Sequence, residues 1–306
     1  MSRIIVIAGP TGSGKSELAI RIASSIAGEI VNYDSVQLYR GFDIGSAKPT
    51  IEDRQRVPHH LFDIADAGIE FNAADYGRVA RATCAEIESR GATPVLAGGT
   101  FFYLRALLST LPELPGRDEA LRARIQAIAA RRRGGVWLHR LLQRVDPASA
   151  GRIAPGDRHR VERALEVWFS SGRPISSWER VTSSSEDETP ALKLGLRLDR
   201  ELLHERIHQR VNRMYAAGLV EETRLLLERH PRNARPFGTI GYREAVAVIE
   251  GGNTLSEAIA ETSRRTRQYA KRQMTWLRAE RNVQWIDATN PDSMFDDAIR
   301  LIKEPA

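Results

Sequence analysis

The sequence predicts an α/β protein, a parallel-sheet core interrupted by a mostly helical insertion. Three observations predict it. Short apolar runs end in glycine-rich or polar turns, amphipathic helical patterns alternate with those runs, and the texture becomes Arg-rich and helical between about residues 113 and 190.

Ile4-Ile5-Val6-Ile7-Ala8 is fully apolar and ends at Gly9, the pattern of a central parallel strand buried on both faces. A helix follows from Lys15 to about Ala27, with Leu18, Ile22 and Ile26 on one stripe. Glu29-Ile30-Val31-Asn32 reads as a second strand that delivers Tyr33, Asp34 and Ser35 to its carboxyl end. Residues 73–90 read as a helix, and Pro94-Val95-Leu96-Ala97 as a strand ending in Gly98-Gly99-Thr100. In such sheets ligands gather beyond the carboxyl ends of the strands, where Gly9–Ser16, Asp34 and Thr100 all fall. Pro112, Pro115 and Gly116 break the pattern, and residues 118–170 are predicted as amphipathic helices. Thr182 to Pro190 is polar and low in complexity, an expected linker. Leu192-Lys193-Leu194-Gly195-Leu196-Arg197-Leu198 alternates like a returning strand. Two further helices are expected at about 199–230 and 255–281, then a short strand, Val283-Gln284-Trp285-Ile286. The expected domains are therefore 1–112 with 191–306 as core, and 113–190 as the inserted unit.

The 306 residues suffice for one large or two modest domains. The single Cys84 excludes an intrachain disulfide framework and a Cys-based zinc site, and its helical setting predicts a buried small residue. No run approaches the roughly 18 apolar residues of a membrane span. A strand opens the chain where a targeting segment would stand, so a cytoplasmic location is expected. The net charge is +6. Residues 1–110 are close to neutral, with 11 basic and 12 acidic side chains, whereas residues 117–163 hold 12 basic and 5 acidic. A localised excess of this kind fits a polyanionic partner, or else a solvated helical surface.

Gly9-Pro10-Thr11-Gly12-Ser13-Gly14-Lys15-Ser16 fits the P-loop pattern without mismatch, between a predicted strand and a predicted helix. The core is thus expected to be P-loop NTPase-like. Backbone N–H groups of such a loop and the helix N-terminus hold phosphate oxygens. Lys15 would neutralise the terminal phosphate, and the Ser16 hydroxyl would be an inner-shell ligand of Mg²⁺. A nucleoside triphosphatase would add an apolar strand ending in a metal-linked Asp. Only Asp34 is placed to serve, and it has competing claims.

Asp34-Ser35-Val36-Gln37-Leu38-Tyr39, Gly45-Ser46-Ala47-Lys48-Pro49, Pro58-His59-His60 and Gly98-Gly99-Thr100 follow the P-loop in order. Later come Arg160-Val161-Glu162-Arg163-Ala164-Leu165-Glu166-Val167, Gly218-Leu219-Val220-Glu221-Glu222 and Ile240-Gly241-Tyr242-Arg243. The last is Tyr269-Ala270-Lys271-Arg272-Gln273-Met274-Thr275-Trp276-Leu277-Arg278. Over nearly its whole length the sequence resembles the tRNA dimethylallyltransferases, the isopentenyl transferases acting on tRNA. The resemblance implies that the P-loop holds dimethylallyl diphosphate with Mg²⁺, and that the acceptor is N6 of the adenosine immediately 3′ of the anticodon. It assigns Asp34 as general base, Thr100 to the reaction centre and Arg210 to the diphosphate, with Arg206 and Arg213 as competing positions. It places tRNA contacts at Asp34, Ser35, Val36, Gln37 and Thr100, at Arg158, His159, Arg160, Val161, Glu162 and Arg163, and at Gly241, Tyr242, Arg243, Lys271 and Arg272.

Chemistry is consistent with that assignment. An exocyclic amine is a poor nucleophile, so a carboxylate that takes its proton helps bond formation. A target base within a stacked loop must also be extracted to be reached. Seven basic residues against three acidic over 255–281 mark a nucleic-acid surface, with Tyr269 and Trp276 expected to face the core. The inserted unit is expected to clamp the anticodon arm. Thr100 has a rival role as a helix N-cap, Asp34 as a loop cap or metal ligand, and His59 and His60 as structural loop residues. Phe101-Phe102-Tyr103 departs from the family's Gly-Leu-Tyr, which puts the shape of the prenyl channel in question. The rival functions are a small-molecule P-loop kinase, an adenylate prenyltransferase and a non-enzymatic RNA-binding module. A monomer is expected.

Overall fold

The computed structural model describes residues 4–109, 111–112, 114–131, 135–181 and 189–304. They divide into two compact units, one of residues 1–108 with 189–306 and the other Ser109–Glu188. The expected linker 182–190 falls largely outside the described residues.

The first unit begins with β1 (Ile4–Ala8), α1 (Lys15–Ser25), β2 (Gly28–Asn32), α2 (Ile51–Arg56) and β3 (His59–His60). It continues through α3 (Ala73–Ser89), β4 (Thr93–Ala97) and α4 (Phe101–Leu108). The second unit consists of α5 (Glu119–Arg131), α6 (Gly135–Val145), α7 (Pro147–Arg152), α8 (Arg158–Ser171) and α9 (Ile175–Val181). The chain then rejoins the first unit as β5 (Ala191–Arg197), α10 (Arg200–Ala216), α11 (Leu219–Arg229), α12 (Tyr242–Ile249), α13 (Leu255–Ala279), β6 (Val283–Asp287) and α14 (Pro291–Lys303).

Among the described residues the strands form one parallel sheet in the order β3-β2-β4-β1-β5-β6. Every residue of β1 is buried, as its unbroken apolar run requires, and Ile5 pairs with Val95 on one side and Leu192 on the other. Ile5, Ile7, Leu18, Ile22, Ile30, Val95, Leu194 and Ile286 pack into the core between α1 and the sheet. Residues 192–196 of β5 are all buried. Lys193 is accommodated by Glu280, whose carboxylate lies 3.2 Å from its Nζ.

The expected helix over 199–230 is two helices. The break falls at Gly218, whose φ of +98° admits the left-handed turn that starts α11. The helices α12 and α14 were not anticipated, nor was the short strand made by His59 and His60, which pairs with β2. Helix α13 opens with a capping box, Thr254 accepting from the Glu257 N–H and Glu257 answering the Thr254 N–H.

The second unit has its own core of Ile125, Ala129, Leu138, Leu142, Val161 and Leu165. Its buried charge is paired: fully buried Glu166 lies 3.3 Å from Arg122 and 3.2 Å from Arg163, and accepts from the Asp118 N–H.

Candidate active site

Because every strand points the same way, the loops after β1, β2 and β4 emerge at one edge of the sheet. There they border a cleft with an empty volume of about 610 Å³, counting space open to solvent. Thr11, Lys15 and Ser16 line it from the first loop, Asp34 and Gln37 from the second, and Gly98 and Gly99 from the third. Arg210 of α10 and Tyr269 and Gln273 of α13 complete the polar wall, with Ile20, Ile30, Phe62 and His59 on an apolar side.

The P-loop is held close to the sheet. A Cβ on Gly9 would lie 2.9 Å from the Leu196 Cβ, and Gly14 at φ +90° caps α1 without a side chain. Lys15 Nζ donates to the Pro10 carbonyl at 2.8 Å. Burial, with the nearby Arg210 charge adding to it and Asp34 opposing, lowers the Lys15 amine to about 7. An enclosed amine of this kind gains charge when an anion arrives.

Asp34 is fixed by its neighbours. Its N–H donates to Asn32 Oδ1 at 2.8 Å, and its own Oδ1 accepts from the Val36 N–H at 2.8 Å and the Gln37 N–H at 3.4 Å. The second carboxylate oxygen, Oδ2, lies 3.1 Å from where a Gly99 Cβ would be. Burial pushes the Asp34 carboxyl up, while the two loop amides, Arg210 and Lys15 pull it back. Arg210 is itself lowered by burial and raised by Asp34. The arrangement places the buried Asp34 carboxyl beside an amine and a guanidinium.

Thr100 does not spend its hydroxyl on capping α4. Its Oγ1 accepts from the Ser35 N–H at 3.0 Å and donates to Ser35 Oγ at 3.1 Å, which ties the β4 turn to the Asp34 loop. Gln37 Nε2 donates to the carbonyls of Ser46 and Ala47, so this glutamine joins the base loop to the Gly45–Pro49 turn. Glu222 anchors that turn by accepting from the Ile44 N–H at 2.8 Å and the Tyr242 hydroxyl at 2.6 Å. Buried Lys48 bridges Asp43 and Asp63 behind it.

The three arginines differ in their contacts. Arg206 donates to the Ala288 and Thr289 carbonyls, and Arg213 is exposed, whereas Arg210 reaches the cleft. Tyr269 differs from expectation: it lines the cleft, and its hydroxyl donates to the Gly99 carbonyl at 2.6 Å. Trp276 is half-buried and stacks on Phe101. Phe101 is buried there and Phe102 is 53% exposed, so neither joins the cleft lining. His59 and His60 are bonded to the Val57 carbonyl and the Glu29 carboxylate.

Among the residues expected to touch nucleic acid, Arg158, His159, Arg160, Arg243, Lys271 and Arg272 are exposed. Val161, Glu162, Gly241 and Tyr242, by contrast, are all buried. Val161 belongs to the core of the second unit, Glu162 pairs with Arg158 and Gln126, and Tyr242 donates to Glu222. Arg163 is half-buried and donates to the Pro115 carbonyl at 2.7 Å. Sequence reasoning missed Gln273, whose buried amide meets both Thr11 and Gly99. A glutamine one helical turn beyond Tyr269, on the inward stripe of a basic helix, was the signal available.

Among the described residues no three His, Cys, Asp or Glu side chains gather into a metal cage. Ser16, exposed in the first turn of α1 and on the cleft wall, offers a single hard oxygen. That donor fits magnesium, which retains water and phosphate oxygens as most of its ligands.

The family model described as IPP transferase matches residues 37–280. The chain is 44% identical over 302 residues to a tRNA dimethylallyltransferase of Geobacter sulfurreducens, covering 98% of this chain and 97% of that one. It is 47% identical to the tRNA dimethylallyltransferase of an Anaeromyxobacter species, with 99% of each covered. Its fold is similar to the tRNA isopentenylpyrophosphate transferase of Bacillus halodurans, with a TM-score of 0.72, 35% identity and coverage of 99% and 96%. A eukaryotic dimethylallyltransferase acting on tRNA superposes at a TM-score of 0.79 with 27% identity, covering 98% of this chain and 77% of that one. On the matched span, the coverage and the fold, the chain belongs to the IPP transferase family.

Proposed function

We propose that this protein transfers a dimethylallyl group from dimethylallyl diphosphate to N6 of the adenosine immediately 3′ of the anticodon of tRNA, releasing diphosphate. The observation that carries the reading is Asp34 facing the same cleft as Lys15 and Arg210. A carboxylate beside a diphosphate cradle matches a reaction that removes one proton and expels one anion.

In the reaction a C–N bond forms between adenine N6 and the allylic C1, and the C1–O bond to diphosphate breaks. Asp34 Oδ2 accepts the proton that N6 loses. Lys15, Arg210 and the P-loop amides stabilise negative charge that grows on the leaving oxygen. Ser16 would hold Mg²⁺, which supplies further neutralisation of the diphosphate. Thr100 and Ser35 fix the edge of the base site, and Gln37 holds its floor. The exposed basic side chains of each unit grip tRNA phosphates: Arg158, His159 and Arg160 on α8, and Arg243, Lys271 and Arg272 on α12 and α13. A cytoplasmic monomer is the working state that goes with this reading.

Incubation with labelled dimethylallyl diphosphate and tRNA, AMP or ATP tests it. Label is expected in tRNA at the N6-modified adenosine. Label confined to AMP would move the assignment to an adenylate prenyltransferase, and phosphate transfer from ATP to a kinase. Lys271→Ala and Arg272→Ala should each weaken tRNA binding and lower the slope of log affinity against log salt by about 0.7–0.9. An unchanged slope would remove those two residues from the interface.

A further inference from the structure

Gln273 lies on α13 with 2% of its surface exposed, and both ends of its amide are committed. Its Oε1 accepts from the Thr11 N–H of the P-loop at 2.8 Å, and its Nε2 donates to the Gly99 carbonyl at 2.9 Å. A Cβ on Gly99 would lie 2.8 Å from Gln273 Nε2 and 3.1 Å from Asp34 Oδ2, so the amide and the base close on the same glycine. The next residue, Thr100, is bonded through its hydroxyl to Ser35, adjacent to Asp34. A hydrogen-bonded path therefore runs from the P-loop backbone through one buried side chain to the turn that borders the base.

We propose that Gln273 is a positioning residue that sets the spacing between the leaving-group cradle and Asp34. The inference rests on the prenyl-transfer reading. Displacement requires the attacking nitrogen, C1 and the leaving oxygen in line, and a small misplacement costs rate steeply. Here the two partners are held by loops that leave different strands, β1 and β2, separated in the sheet by β4. A neutral primary amide suits the task because it donates and accepts at once. A carboxylate at this place could still accept from Thr11 but would repel the Gly99 carbonyl, and a thioether of similar length would do neither.

Full-length Gln273→Met and Gln273→Glu variants test the proposal beside the native protein, with kcat, both KM values, calorimetric binding of diphosphate, and melting temperature. Gln273→Met should lose roughly 10- to 100-fold in kcat, while tRNA KM and diphosphate binding stay close to native and the melting temperature falls modestly because the Thr11 N–H loses its partner. For Gln273→Glu, the rate relative to native should rise as pH falls toward the carboxyl's own pKa, because the protonated acid regains a donor for Gly99. The introduced carboxylate stands close enough to Asp34 to shift it, so the Asp34 ionisation is fitted separately in each protein before the ratio is taken. A Gln273→Met kcat within twofold of native would overturn the proposal. So would a flat pH ratio, or a kcat loss matched by equal losses in diphosphate binding and melting temperature, which mark a structural prop. Native protein that labels no tRNA would sink the prenyl-transfer reading itself, and the proposal with it; native activity with an unchanged variant sinks the proposal alone.

Discussion

Asp34 and Lys15 share one cleft but are tuned in opposite senses by the same burial. Desolvation disfavours the charged form of each, raising the carboxyl and lowering the amine, and their mutual attraction offsets part of both shifts. For Asp34 this makes a stronger base than a solvated carboxylate, with Arg210 and Lys15 holding back part of the rise. Replacing Asp34 with Ala or Asn should reduce kcat by about 10²–10⁴ with little change in donor binding, measured by single-turnover transfer to tRNA; a loss below tenfold would remove it as the base. The native rate should also fall on the acid side as Asp34 takes up a proton at its raised pKa. Lys15 has the complementary signature. With its amine lowered to about 7, the unliganded protein is largely uncharged there at higher pH, and a bound diphosphate restores the proton. Diphosphate affinity should therefore decline as pH rises above about 7, with proton uptake on binding visible as a buffer-dependent heat. Affinity independent of pH from 7 to 9 would contradict this.

At the scale of elements, the cleft is a set of loops held from behind. Glu222 on α11 and Tyr242 on α12 clasp the Gly45–Pro49 turn, and a Cβ on Gly45 would fall 2.6 Å from the Tyr242 ring. Gln37 rests on the same turn, so α11 and α12 position the base loop without lining the cleft. Glu222→Ala would strand the Ile44 N–H and the buried Tyr242 hydroxyl, a cost of about 1–3 kcal/mol. A lowered melting temperature with a larger loss of activity than of diphosphate binding is expected. No change in stability would show that the turn is held by other contacts. Sequence order identified Glu222 and Tyr242 as parts of shared motifs. Periodicity could not tell which motif residues face inward, because α12 spans only eight residues and carries no long stripe.

At the scale of the whole molecule, the helical unit enters and leaves the chain at nearly one point. The Thr189 N–H donates to the Leu108 carbonyl at 2.7 Å, so the two ends of the sheet unit are already adjacent. Each unit also has a separate buried core. Joining Leu108 to Thr189 through a short linker should leave a folded sheet unit that binds diphosphate and has lost tRNA binding. Retention of native tRNA affinity would refute a role for the helical unit in holding the substrate.

What the sequence by itself determined is local and periodic. The apolar run of β1, the P-loop, the β2 and β4 ends and the helical texture after Pro112 all follow from nearest neighbours along the chain, and the ordered motifs carried the family. Tertiary structure decided what depends on distant partners. It chose Arg210 over Arg206 for the cleft, turned Tyr269 toward Gly99, and turned Phe101 away toward Trp276. It also buried Val161, Glu162 and Tyr242, and it brought Gln273 onto Thr11 across a separation of 262 residues. The reason is physical. A side chain's facing is set by the packing of whole elements and by the need to satisfy buried polar groups, and neither is written in the residues on either side of it.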